Sequence, residues 1–120
     1  MAYKSYEGWI LASDVTKTRK EAIDANGVWL HATTNSLRSD IPSTLFFTSG
    51  TGDPSGAVVS VGLAAFEDKN PVAVQGAQKT LSGLAAGQDS VDVMFYPVGR
   101  IAVTVSSLPG GTTLKAKVAQ

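Results

Sequence analysis

Apolar and polar residues alternate along much of the C-terminal half of the chain. In residues 90–96 every second position is taken by Val91, Val93 or Phe95, and the same period returns in residues 100–106. A period of two is typical of a β-strand with one buried face, because successive side chains point to opposite sides of a sheet. The proline and glycine that separate the two segments favour a turn, so the pattern predicts a β-hairpin.

Residues 112–118 continue the alternation towards the C-terminus. Leu114, Ala116 and Val118 fall on one face, and the lysines between them point outward, as is common on an edge strand. Three further segments rich in β-branched, small or aromatic residues are also predicted to be strands: 44–48, 57–66 and 72–75. Gly62 lies inside the second of these and predicts a bulge or a close backbone approach.

The dipeptide Asn26-Gly27 is a strong two-residue hairpin signal. It predicts that a strand over residues 28–33 pairs with residues 19–23. A short helix over residues 16–25, ended by Gly27, is the alternative, because glycine often follows the last turn of a helix.

Turn signals recur at roughly 8–15-residue spacing, which is typical of a small antiparallel sandwich or barrel. Residues 48–56 are predicted to be a loop, and residues 76–89 to be irregular with room for one helical turn. A chain of 120 residues suits one domain. We therefore expect an all-β fold, a small antiparallel sandwich or barrel with an extended N-terminal segment and long loops.

Aromatic residues recur every three positions at the N-terminus, at Tyr3, Tyr6 and Trp9. Large aromatic side chains with a polar group are favoured at protein interfaces. Residues 1–12 are therefore interpreted either as an arm that docks on a neighbouring subunit or as the first strand of the domain. Residues 13–120 are expected to form one β-rich domain.

Composition and charge narrow the possible partners. Hydrophobic residues make up 43% and charged residues 17%, and ten basic residues balance ten acidic ones. A net charge of zero removes the strong attraction that duplex nucleic acid or an anionic membrane needs, so neither is expected as a partner. The start of the chain lacks the apolar core of a signal peptide. The apolar run at residues 57–66 is too short for a membrane span, which needs about 20 residues.

Residues that carry catalytic or metal chemistry are few. The chain has no cysteine and one histidine, His31, which excludes thiolate sites and a zinc site built on histidines. His31 is expected to pack within a strand or face solvent, opposite Leu30 and across the sheet from Trp29. The adjacent acids Glu67 and Asp68 are interpreted as a solvated turn. No catalytic, cofactor-binding or metal-binding residue is predicted, and no enzymatic activity.

Two clusters remain as candidate contact material. Gly50-Thr51-Gly52 resembles a phosphate-binding loop, but no lysine follows in a Gly-Lys-Ser/Thr arrangement and no helix is predicted after it. These residues, with Asp53 and Pro54, belong to the loop from Ser49 to Gly56. It is interpreted as a surface or interface loop. The basic cluster at residues 17–20 is interpreted as a solvated face, with an acidic patch on another protein as its simplest partner.

The whole chain resembles small structural proteins of tailed-bacteriophage virions, in particular capsid decoration or cement proteins. The resemblance rests on the start at Met1 without a signal peptide, the lack of cysteine, and the abundance of Gly, Ala, Ser, Thr and Val. It also rests on the β-like segments at residues 91–105 and 110–118. It implies a non-enzymatic homo-oligomer, made in the host cytoplasm, that binds the major capsid protein or other virion subunits and stabilises the shell.

Three other functions are compatible with the sequence. A phage tail-tube or head–tail connector protein is the nearest alternative within the same class. A carbohydrate- or protein-binding β-module is the alternative of another class, with Trp9, Trp29 and Tyr96 as its stacking surface. A small enzyme would depend on carboxylate chemistry alone, since cysteine is absent and histidine occurs once.

Overall fold

The computed structural model describes residues 5–14, 16–32, 41–64, 73–92 and 100–120. These residues form two antiparallel sheets that pack on each other and contain no helix, which confirms the all-β class and the sandwich. The strands are β1 (Ser5–Tyr6), β2 (Trp9–Leu11), β3 (Arg19–Lys20), β4 (Gly27–His31), β5 (Thr44–Thr51), β6 (Val58–Ala64), β7 (Ala73–Thr80), β8 (Gln88–Asp92), β9 (Arg100–Ser106) and β10 (Thr113–Ala119).

Strand order places β5 and β9 inside their sheets. The four-stranded sheet has the order β1-β10-β5-β8, and the six-stranded sheet has the order β3-β2-β4-β9-β6-β7. The core lies between the sheets and is lined by the alternating residues that the sequence predicts. Leu114, Ala116 and Val118 of β10 are buried, as are Ile101 and the two valines that follow it at every second position in β9.

The N-terminal segment passes from one sheet to the other. Tyr6 pairs with Val118 in the four-stranded sheet, and three residues later Trp9 pairs with His31 in the six-stranded sheet. Gly8 makes this switch with a φ of +111°, a conformation that other residues rarely adopt. β1 and β2 are therefore strands of the sandwich itself.

The predicted hairpin between residues 90–96 and 100–106 is wrong. β8 pairs with β5 in the four-stranded sheet, whereas β9 lies between β4 and β6 in the six-stranded sheet. Alternation shows that each segment is a strand but does not specify its partner. The seven residues between them, 93–99, lie outside the described residues.

The two alternatives for residues 16–33 are both wrong. β3 pairs with β2, and β4 pairs with β2 and β9, so Asn26-Gly27 does not join two paired strands. No helix forms over residues 16–25 among the residues described there. Instead, the Asn26 side-chain oxygen accepts a hydrogen bond from the Leu108 amide at 2.9 Å, which ties two turns together.

Of the other local predictions, the bulge near Gly62 is confirmed and the rest need correction. β5 extends to Thr51 and β7 to Thr80, so both predicted loops begin later than expected. The predicted helical turn in residues 76–89 is a β-turn, closed by the Ala86 amide donating to the Gly83 carbonyl at 3.2 Å. The bulge expected near Gly62 is confirmed by a register shift between β6 and β7. β10 is not an edge strand, because β1 covers part of its second side.

Candidate interaction surface

Trp9 belongs to the core, so its predicted role as exposed interface material is wrong. Its side chain is 0% exposed, and its indole nitrogen donates to the Ala116 carbonyl at 3.0 Å. Its ring lies edge-on to His31, with centroids 5.4 Å apart. Tyr6 contributes backbone pairing in β1, and Tyr3 lies outside the described residues.

The stacking surface proposed for a carbohydrate-binding module is also wrong in its two tryptophans. Trp29 is 0% exposed, and its indole nitrogen donates to the Ala25 carbonyl at 3.0 Å. Trp9 is buried too, and Tyr96 lies outside the described residues. A side chain enclosed in the core cannot stack on a sugar ring.

His31 is packed within the sandwich, as one of the two expectations for it stated. It is 0% exposed and pairs with Trp9 across neighbouring strands. It shares the inner face of β4 with Trp29, because residues two apart in a strand point the same way. The expectation that it lies across the sheet from Trp29 is therefore wrong.

The predicted interface loop is partly exposed and well ordered by its own contacts. Gly50 lies at a bulge opposite Thr113, where a β-carbon would collide with the threonine side chain. Thr51, Gly52 and Asp53 are exposed, but Pro54 is buried, so its predicted role as exposed contact material is wrong.

Asp53 fixes the turn that follows. Its carboxylate accepts hydrogen bonds from the Ser55 hydroxyl at 2.6 Å and the Ser55 amide at 3.1 Å, and these bonds lower the pKa of Asp53. The Ser55 hydroxyl oxygen in turn accepts the Leu84 amide at 3.0 Å. The Asp53 carboxylate therefore stabilises the local turn through its hydrogen bonds to Ser55.

The basic cluster at residues 17–20 finds acidic partners within the chain. Arg19 lies 3.3 Å from Glu21, and Lys20 lies 3.0 Å from Asp24. Lys20 also lies 5.9 Å from the centroid of the Trp29 ring. These contacts fit the interpretation of the cluster as a solvated face.

A surface that the sequence analysis missed covers the outside of the four-stranded sheet, and we call it the Phe46 face. It is centred on Phe46, which points away from the core while the next residue, Phe47, is 0% exposed inside it. An open concavity of about 260 Å³ lies beside Phe46. The face consists of Glu7, Thr44, Phe46, Thr48, Gln88, Ser90, Asp92, Lys115 and Lys117.

The signal that could have located this face is the pair of consecutive phenylalanines. In a strand, neighbouring side chains point to opposite sides, so one of two adjacent aromatic residues must face outward. The strand predicted over residues 44–48 is confirmed as the first part of β5, and Phe46 is its outward aromatic residue. An outward aromatic on a sheet is more informative than an aromatic in the core.

Charges on the Phe46 face are separated across its width. Lys115 and Lys117 lie on β10, and Lys117 is 3.6 Å from Glu7 at the adjoining edge. Asp92 lies on β8, at the opposite edge, where it accepts a hydrogen bond from the Thr44 hydroxyl at 3.3 Å. One side of the face is therefore predominantly basic, and the far corner is acidic.

A second polar cluster lies along the flank where β7 and β8 form the edges of their sheets. The Lys79 amine contacts the Asp89 carboxylate and donates to the Ser90 carbonyl at 3.2 Å. Asp89 also accepts the Ser82 amide at 3.2 Å and the Ser90 amide at 2.8 Å. The hydrogen bond from Lys79 is the main cause of the lowered pKa of Asp89.

This cluster predicts how stability responds to acid. A lowered pKa in the folded state means that the Asp89 carboxylate stabilises the fold above its unfolded pKa, and this contribution is lost as the pH falls through the folded value. Asp89→Asn should cost about 1–2 kcal/mol at neutral pH. The difference from the unchanged protein should shrink below about pH 4. Urea unfolding at several pH values measures it, and a difference that stays constant down to about pH 2 would contradict the assignment.

Comparison of the chain with known protein families, curated proteins and solved structures finds no match. Within the described ranges, no three histidine or acidic side chains come together as a metal site would require. In the same part of the chain, no helix is long and apolar enough to cross a membrane.

Proposed function

We propose that the protein is a non-enzymatic virion structural protein of the decoration or cement type, which bridges neighbouring capsid subunits. The observation that carries the proposal is the outward placement of Phe46 on a broad sheet face between lysines and an acidic corner. Aromatic residues are enriched where proteins contact each other, with charged residues at the rim. The resemblance of the whole sequence to phage structural proteins supplies the choice of a virion.

The mechanism is adhesive. A protein that binds the assembled shell more tightly than the separate subunits stabilises the shell by mass action. Many copies bound side by side add modest individual interactions into a strong total. β5 carries both exposed features, because Phe46 lies near its start and Gly50 and Thr51 lie at its end. One strand thus presents contact material on the face and at the end of the sandwich.

Purified virus-like particles from the source culture test this function. Banded on a density gradient, they should contain the protein in a fixed ratio to their main subunit. Particles stripped of it should rebind the purified protein, and Phe46→Ser should weaken this rebinding at least about tenfold. Gln78→Ala, an exposed change on β7 of the other sheet, serves as the control and should rebind normally.

Two outcomes would contradict the proposal: absence of the protein from the particle band, or equal rebinding of Phe46→Ser. Electron microscopy of particles carrying the labelled protein then distinguishes a head from a tail position. Labels along the tail would favour the tail-tube or connector alternative.

A further inference from the structure

We propose that the Phe46 face is the docking site for a second copy of this chain, related by a two-fold axis parallel to β5. The inference deepens the proposed function and rests on it for the biological role of the contact: copies bound side by side on the shell would join through the Phe46 face, and Phe46→Ser would weaken rebinding by removing this contact between copies. The contact itself is argued from the arrangement of side chains on the four-stranded sheet.

The register of the sheet sets these side chains in three rows. Phe46 lies between Lys117 on β10 and Ser90 on β8. In the next row towards the C-terminal end of β10, β8 carries Asp92. In the next row in the opposite direction, β10 carries Lys115. Both lysines therefore lie on one side of Phe46, with Glu7 paired to Lys117 at the edge beyond them, and Asp92 lies on the other side.

A two-fold axis along β5 makes this arrangement self-complementary. When two such faces stack, the axis places β8 of one copy over β10 of the other and Phe46 against Phe46. Lys117 then faces Ser90 of the second copy, with Asp92 offset by two residues, or about 7 Å along the strand. The long, flexible side chain of Lys117 spans this offset, so the two charges come within reach.

A partner with one sign of charge fits the face less well. An acidic partner would attract the lysines and repel Asp92 and Glu7, and a basic partner would do the reverse. A second copy offers both signs in the required order. Its net charge of zero also leaves no overall repulsion between the two molecules.

The size of the face predicts a weak contact. Three strands about 14 Å wide and five residues about 17 Å long give roughly 250 Å² on each copy. A stable interface usually buries about 800 Å² on each partner. We therefore expect a dimer that forms only at high concentration, which suits a protein whose contacts are repeated many times in an assembly.

Sedimentation velocity of the full chain tests the contact, over concentrations from about 10 μM to about 1 mM. The unchanged protein should shift from monomer towards dimer, and Phe46→Ser should remain monomeric. Lys117→Glu and Asp92→Lys should each weaken association, and the two together should restore it. Restoration isolates the contact between copies, because the double variant still lacks the pair of Lys117 with Glu7 within one chain.

A monomer at every concentration would overturn the inference. So would a dimer unaffected by Phe46→Ser, or a double variant as weak as the single ones. Urea unfolding of each variant shows that the fold is retained, since the substituted side chains are at least partly exposed. The particle experiment above has a separate readout: a dimer with no particle binding would leave the contact and remove the virion role.

Discussion

Replacing Trp9 with alanine is expected to lower the free energy of unfolding by about 3–5 kcal/mol. The side chain is fully enclosed between the two sheets and packs against His31. Its loss leaves a cavity and also leaves the Ala116 carbonyl without the indole donor. A buried acceptor that loses its donor adds a further cost to that of the cavity.

The hydrogen bond of Trp9 has a specific place in the sheet. On its second side, β10 is bridged by Ile23 at Leu114 and by β1 at Val118. The indole of Trp9 bonds the carbonyl of Ala116, which lies between these two contacts. The side chain thus completes an edge of β10 that none of the described strands covers at this point.

Urea unfolding of Trp9→Ala and Trp9→Phe separates the two contributions. Phenylalanine keeps most of the apolar volume but cannot donate, so it should cost less than alanine. Phe46→Ser is the matched control, because it removes an aromatic side chain that is only partly buried. A loss of less than about 1 kcal/mol in Trp9→Ala would contradict the placement of Trp9 in the core and favour a detachable N-terminal arm.

The positions of the strands could be predicted from the sequence where one face is buried and the other is not. Leu114, Ala116 and Val118 alternate with exposed or outward residues. A period of two of this kind predicts a strand. The same holds for β9, whose apolar residues at every second position are all in the core. Local pattern and tertiary burial agree in these segments.

Strand partners could not be predicted, because pairing depends on contacts distant in the sequence. The proline and glycine after residue 96 favour a turn, yet β8 and β9 belong to different sheets. A turn changes the direction of the chain, but only packing decides which sheet the next strand joins. The hairpin predicted at Asn26-Gly27 is wrong for the same reason. The Asn26 side chain accepts a hydrogen bond from Leu108, which is distant in the sequence.

The candidate site was harder to predict than the fold. The aromatic rings of Tyr6 and Trp9 predict an interface, but composition alone does not distinguish an interface aromatic from a core aromatic. Gly8 is the residue that turns the chain into the second sheet, and its φ is not readable from its neighbours. By contrast, the exposure of one of two adjacent phenylalanines in β5 follows from strand geometry alone.

Replacing Ile23 with alanine is expected to cost about 2–4 kcal/mol. Ile23 is 0% exposed and belongs to the main core cluster. Its amide donates to the Leu114 carbonyl at 2.7 Å, and its carbonyl accepts the Leu114 amide at 2.9 Å. These backbone bonds survive the substitution, so the loss should come from the apolar side chain.

Ile10→Ala is the matched control, because Ile10 is only partly buried and pairs with Leu30, a member of the small second cluster. It should cost about 1 kcal/mol, in proportion to the smaller area buried. Ile23 lies in the segment for which the sequence suggested a helix or a hairpin, and it bridges to β10 of the four-stranded sheet. If Ile10→Ala proved the more destabilising of the two, that bridge could not be part of the core, and residues 21–25 would have to lie elsewhere.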